Sequence, residues 1–325
     1  GIAYFIVATH GTAHASPRAR YGPYQNVRCA NGVGVFGRDP ESSHQVWSAQ
    51  SGYPCASVYR EFHRDLGYDA EYDYIRPFID PAGSRIPTGF KYCRISGPGD
   101  NKAVYDVAAA RAVAIEHARD FVRRKKNQID RLRATGNQAP IVVAPFDAEL
   151  FGHWWYEGPV WLEYVLRGVA TEPGLNTESL SRRHDPSGPI VEPSASTWGH
   201  QGHGRYWLNS SNDWVYPRLH AAGARMAALA RGSIPVDLTE VYDQAARELL
   251  LAESSDWTFM MTAGQVSTYA RKRIDDHLSR FERICDGIKH NNIDTKWFTD
   301  VCDRDTLFAD IACARYYDAK RTGEN

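Results

Sequence analysis

At 325 residues the chain exceeds one average domain, and 43% hydrophobic content marks it as globular. Its formal charge of −1 gives no electrostatic reason to expect nucleic acid or an anionic membrane as partner. Nine Trp and eighteen Tyr in a near-neutral chain favour an uncharged polar ligand, a class that includes sugars. The six cysteines (29, 55, 93, 285, 302 and 313) form no CxxC and no regular framework, so they read as reduced thiols of a cytoplasmic protein. No run approaches a membrane span, and the start lacks both Met and a basic leader, so the chain reads as a piece of a longer one.

In chain order, residues 2–8 are a short strand candidate that delivers Thr9-His10-Gly11 at its carboxyl end. Residues 12–57, rich in Gly, Pro, Ser and Arg, predict a long excursion without regular elements. Arg38, Asp39 and Trp47 are the groups there suited to face a ligand; the alternative is that Arg38 and Asp39 pair to pin the loop. Residues 85–96 read as β-structure. The clearest helix covers 105–134, capped by Asp106, carrying one apolar stripe and ended by Gly136. Its basic run at 123–126 reads as a solvated helix face.

Next comes IVVAPFDAELFGHWWYEGPVWL (141–162). The β-branched run at 141–144 suits a buried strand, and Gly158-Pro159 restarts the chain as a helix. Between them lie Asp147, Glu149 and a block of aromatics, expected to wall Asp147 off from water. Carboxylates at the carboxyl end of a parallel strand are where α/β barrels place their chemistry. Residues 170–200 are irregular and lead into STWGHQGHGRYWLNSSNDW (196–214), where Trp198 and Trp207 bracket three glycines and supply flat faces for a pyranose. Helices are then predicted over 213–231, 236–252, 263–290 and 305–317, the first capped by Asn212 or Asp213. Ser254 or Ser255 offers a further cap, with Asp256 beside Trp257.

His10-x3-His14 and His200-x2-His203 lack a third ligand and a helical context, so no metal site is expected. No GxSxG, P-loop or dinucleotide fingerprint occurs, and no cofactor is expected. What remains is carboxylate chemistry beside aromatic platforms, which points to glycosyl transfer.

PFDAELFGHWWYEGP (145–159) resembles the fourth signature region of glycoside hydrolase family 57, in particular its 1,4-α-glucan branching enzymes. Four other stretches share the resemblance: THG (9–11), FGRDPESSHQVWSAQSGYP with YREFHRDLGY (36–54 and 59–68), WGHQGHGRYWLNSSNDW (198–214), and ESSDWTFMMTAGQVSTYARKRIDDHLSRF (253–281). The resemblance implies an α/β fold. Residues 1–205 would form an incomplete (β/α)7-type barrel with a long insertion at about 12–100, and residues 206–325 an α-helical C-terminal domain. It makes Asp147 the general acid/base, with Glu149 as rival, and suggests α-1,4-glucan contacts at Arg38, Trp47, Trp198, Trp207 and Asp256, with His10 at the rim. Family members carry their nucleophilic Glu upstream of the strand that starts this chain, so the chain alone is expected to be inactive. Cys55 stands where the family usually has Gly, and the resemblance fades over 286–325. An α-amylase, a 4-α-glucanotransferase and a non-catalytic glucan-binding relic are the competing expectations.

Overall fold

In the computed structural model, which describes residues 2–316 save 80, 98, 198, 200, 201, 233 and 265, the opening apolar run forms β1 (Tyr4–Val7). A single-turn helix, α1 (Thr9–Ala13), follows it directly. The expected excursion then yields regular elements after all: β2 (Val27–Arg28), β3 (Gly34–Gly37) and α2 (Pro40–Trp47). β1 pairs parallel with β3, from Tyr4 opposite Gly34 to Val7 opposite Gly37, and β2 pairs antiparallel on the other edge of β3. β3 looked like a loop because glycines bound it. Those glycines admit close neighbours: a Cβ on Gly34 would strike His184 Nδ1, and one on Gly37 would strike Thr12 Oγ1 and Pro23.

Residues 141–146 are extended, but they form a single parallel bridge, Arg38 to Val143, instead of a full strand. Ile141 N–H donates to Tyr24 O (3.1 Å) and Asp39 N–H donates to Val143 O (2.7 Å). Pro140 and Pro145 have no N–H, which stops the ladder on both sides. The β-structure expected at 85–96 reduces to isolated bridges, Arg60 to Arg94 and Cys93 to Val104. Two single-turn helices precede it, α3 (Leu66–Asp69) and α4 (Tyr72–Ile75).

The long helix is present as α5 (Val107–Ala134), with the Asp106 carboxylate accepting from the N–H groups of Ala108 and Ala109. It packs on α6 (Gly158–Thr171) around buried Phe121, Val122, Trp155 and Trp161. The buried stripe of α5 includes Lys125, which corrects the reading of 123–126 as wholly solvated. Lys125 Nζ lies 3.0 Å from Asp39 Oδ2 and also donates to Ser42 Oγ and Gln128 Oε1. Asp39, fully buried, further accepts from the Ser42 N–H (2.8 Å), the Ser42 hydroxyl (2.5 Å) and Gln128 Nε2 (2.7 Å). The pinning partner of Asp39 is therefore Lys125, not Arg38.

The chain divides into two compact units, Gly1–Trp198 and Gly199–Asn325. The first closes with α7 (Leu180–Arg183). The second is helical: α8 (Val215–Ala230), α9 (Thr239–Ala252), α10 (Ser255–Ala263), α11 (Ser267–His290), α12 (Thr295–Arg304) and α13 (Cys313–Tyr316). The helix expected over 263–290 forms as α11 but starts at Ser267, because Gly264, in the left-handed region at φ 83°, ends α10 just before it. Of the helix expected over 305–317 only α13 forms, and α12 precedes it, capped by Asp294 accepting from Trp297 N–H. α8 starts two residues later than expected, so Trp214, which has no acceptor, stands at its N-cap and no side-chain cap forms. None of the described helices is long and apolar enough to cross a membrane.

The Asp39–Lys125 pair generates the first prediction. Burial opposes ionisation of Asp39, but the Lys125 ammonium and the Ser42 and Gln128 donors outweigh it and hold the carboxyl below its ordinary 3.8. A depressed carboxyl stabilises the fold above its unfolded value, and that stabilisation is lost as pH falls through the folded one. Asp39→Ala leaves a buried ammonium without its counter-charge, at a cost of about 3–5 kcal/mol. Thermal unfolding at neutral pH should show that loss, and adding Lys125→Met should recover part of it.

Candidate active site

Three parallel segments end side by side in the first unit. β1 leads into Thr9 and His10, β3 into Arg38, and the extended run 141–146 into Asp147. The register is set by Arg38 N–H donating to Val7 O (2.9 Å) and Asp39 N–H to Val143 O, with Thr9 Oγ1 closing on Arg38 O at 2.7 Å. Ser194 Oγ donates to the His10 carbonyl (3.0 Å). Arg38 is buried; burial lowers its guanidinium pKa, and the charge of Asp147 acts in the opposite direction. Asp147 thus lies within electrostatic reach of Arg38 at the segment ends, where carboxylate chemistry was expected.

At Asp147 the backbone is still extended, and it then turns into a short 3-10 segment, Ala148–Leu150, with Leu150 N–H donating to Asp147 O. Glu149 lies inside that turn, so it does not continue the strand alternation that would aim it alongside Asp147. Both carboxylates are exposed. The aromatic wall expected to desolvate Asp147 is turned away from it. Trp155 (2% exposed) and Trp161 fill the core with Tyr59 and Phe121 instead.

One aromatic pair does lie at the surface. Trp47, at the end of α2, is half-buried and meets Trp154 edge-to-face, ring centroids 6.3 Å apart at 71°. The Cys55 thiol donates to Ser48 O (3.2 Å), at the end of the same helix.

In the second unit, Trp207 is half-buried 5.9 Å from Phe259, on which Tyr206 stacks at 5.1 Å and 25°. Asp256 is exposed in the first turn of α10, one turn before Phe259 on the same face. Asn212, fully buried, holds the 206–212 loop to α10: its Nδ2 donates to Tyr206 O, Thr258 O and Thr262 Oγ1, and its Oδ1 accepts from Asn209 N–H. Trp257 is structural, its indole N–H donating to Leu251 O. Trp198 lies outside the described residues. Glu248, His277 and Asp305 cluster as metal ligands would, yet Arg280 lies 2.8 Å from Asp305 and 3.7 Å from Glu248, supplying the positive charge there.

Residues 218–316 match the family model described as 1,4-alpha-glucan branching enzyme, C-terminal. A 1,4-alpha-glucan branching enzyme of Thermococcus kodakarensis is 34% identical over 298 residues, covering 87% of this chain and 41% of that protein. A probable 1,4-alpha-glucan branching enzyme of Mycobacterium tuberculosis is 35% identical over 279 residues, covering 81% and 49%. Among solved structures, the GH57-type branching enzyme of Pyrococcus horikoshii superposes with a TM-score of 0.78 at 33% identity, covering 98% of this chain and 57% of the other. The chain belongs to glycoside hydrolase family 57. The alpha-amylase AmyC of Thermotoga maritima is also similar, with TM-score 0.79, 39% identity and coverage of 97% and 60%. The chain thus spans less than half the length of these curated relatives.

Within this family 57 chain, the first unit brings His10, Arg38 and Asp147 to neighbouring segment ends, and Trp47 stands at the end of the helix that starts just after Arg38. The second unit brings Trp207 and Asp256 to one face through Phe259. Sequence reasoning missed Trp154 and Phe259 as exposed rings. In the pair Trp154-Trp155 only alternation was available as a signal, and it does not say which indole faces inward.

The second prediction concerns the Trp207 loop. Asn212→Ala removes the donor from three acceptors, of which Thr258 O is fully buried, and should cost about 1–3 kcal/mol. Thermal unfolding would register that loss, and tryptophan fluorescence would report the loosened 206–212 loop.

Proposed function

We propose that this chain carries the general acid/base of a retaining 1,4-α-glucan branching enzyme, with Asp147 in that role. The reading rests chiefly on one observation: an exposed carboxylate follows directly on a segment that bridges Arg38 in parallel, at the end shared with β1 and β3. Similarity to branching enzymes supports it. Asp147 donates a proton to the departing glycosidic oxygen, then removes one from the 6-hydroxyl of an acceptor glucan. Retention needs a second carboxyl about 5–5.5 Å away, which the family resemblance assigns to a region that precedes β1 in family members. Trp47, Trp198, Trp207, Asp256 and His10 are read as contacts to an α-1,4-glucan. Residues 1–205 are read as part of a distorted (β/α)7 barrel, residues 206–325 as its helical companion domain, and the location as cytoplasmic.

A second reading, α-1,4 hydrolysis, draws on the similarity to the Thermotoga maritima amylase. Linkage analysis of the products separates the two, because only branching creates α-1,6 bonds. In the full-length protein, Asp147→Asn should lower transfer by about 10²–10⁴-fold while glucan binding persists, and Glu149→Gln should leave turnover near normal. The reverse pattern would move the acid role to Glu149.

A further inference from the structure

Glycine is a poor residue for the middle of a helix, so each one found there calls for a reason. Gly168 and Gly287 have one: a Cβ on Gly168 would press on Val122 Cγ2 at 3.0 Å, and one on Gly287 would strike Ile293. Gly223, halfway along α8, has no such reason. Among the described residues nothing lies within 4 Å of where its Cβ would stand. What it faces is open space. Gly223 lines a cavity of about 660 Å³ in the helical unit. That size falls inside the range of small-molecule sites, roughly 300–1,000 Å³.

Met226 of α8 and Leu249 and Leu250 of α9 give the cavity two apolar walls, and Phe308 with Ile311 gives the third. Phe308 holds a left-handed backbone, φ 59°, which a bulky residue keeps only where its surroundings over-determine it. Arg247 supplies that constraint: its Nε donates to Leu307 O (2.6 Å), its Nη2 to Phe308 O (3.3 Å), and its Nη1 to Gln244 Oε1. Ile311 N–H also donates to the Phe308 carbonyl (2.9 Å), and Cys313 N–H donates to Asp243 Oδ1 (2.7 Å). Segment 307–313 is thus tied to α9 with Phe308 set in the cavity wall. Strain of this kind gathers at ligand clamps.

The charge in the lining has one sign. Among the described residues two carboxylates, Glu253 and Asp310, line the cavity and no basic side chain does. Desolvation pushes the Glu253 carboxyl above its ordinary 4.5, and the charge of His220 is the one that acts against this. A carboxylate so placed gains from a counter-charge brought to it. We propose that this cavity binds a small molecule with a bulky apolar body and a cationic head, an arylalkylamine in chemical class. The body lies between α8, α9 and Phe308, and the head lies at Glu253 and Asp310. The inference does not rest on the glucan reading. A glucan suits the cavity poorly, because apolar walls would leave its hydroxyls without partners, and an anionic ligand would meet two like charges.

Calorimetry on the full-length protein tests this with three ligands of one shape: 1-naphthylmethylamine, a cation at neutral pH; 1-naphthylmethanol, which is uncharged; and 1-naphthoate, an anion. The amine should bind saturably and at least about tenfold more tightly than naphthoate, with the alcohol between them. Gly223→Leu fills the space and should weaken amine binding at least about tenfold. Its melting temperature should hold or rise, since leucine suits a helix better than glycine. Glu253→Gln combined with Asp310→Asn should bring the three affinities within about threefold of one another. Amine binding that is absent, or that survives Gly223→Leu unchanged, would overturn the inference. So would equal binding of amine and naphthoate, or a preference that outlasts the double variant. A fall in melting temperature on Gly223→Leu would overturn it too, because another part of the protein would then already fill the space.

Discussion

Asp39 has no exposed surface, yet its carboxylate collects donors from Ser42, Gln128 and Lys125. That buried pair joins the start of α2 to the middle of α5, and it lies one residue after Arg38. The Asp39 backbone simultaneously holds Val143, four residues before Asp147. One residue thus fixes the end of β3, the extended run beside it and the long helix behind them. A buried ion pair is weak support for stability when an apolar replacement could pack as well. Its use here is geometric: it fixes the backbone where β3 gives way to Arg38, next to the run that leads into Asp147.

The same economy shapes the stretch that carries Asp147. Pro140 and Pro145 limit pairing of the run 141–146 to one bridge, so the chain is free to turn at Ala148 directly after presenting Asp147. The turn then sends Trp155 and Trp161 into the core and leaves Trp154 and Tyr156 outside. Packing of the core indoles holds the turn still, and the stillness of the turn makes its exposed groups useful for recognition. A loop bearing the same residues without that anchor would lose the benefit to conformational entropy.

Legibility in the sequence followed the range of the interactions. α5 and α6 were readable because their signals are local: Asp106 as a cap, Pro159 in a first turn, and an apolar stripe between. β3 was not, since glycine signals a turn in general and here serves the close approach of His184 and Thr12 from distant parts of the chain. Lys125 was assigned to solvent with its basic neighbours because its counter-charge, Asp39, is far away in sequence. At the site, the strand-end position of Asp147 was readable from the run before it, and its preference over Glu149 came from the family resemblance; the exposure of its carboxylate and the choice between Trp154 and Trp155 depend on tertiary packing. Trp207 stood out as a candidate platform, whereas its neighbouring ring Phe259 belongs to a helix that only folding brings near.

The central claim is that Asp147 is the group that meets the glycosidic oxygen. A crystal structure of the full-length protein with a non-cleavable malto-oligosaccharide tests it most directly. In that complex a linkage oxygen should lie within hydrogen-bond reach of the Asp147 carboxyl, about 2.6–3.2 Å. An oligosaccharide bound across the protein with its linkages on Glu149, or on neither carboxylate, would contradict it.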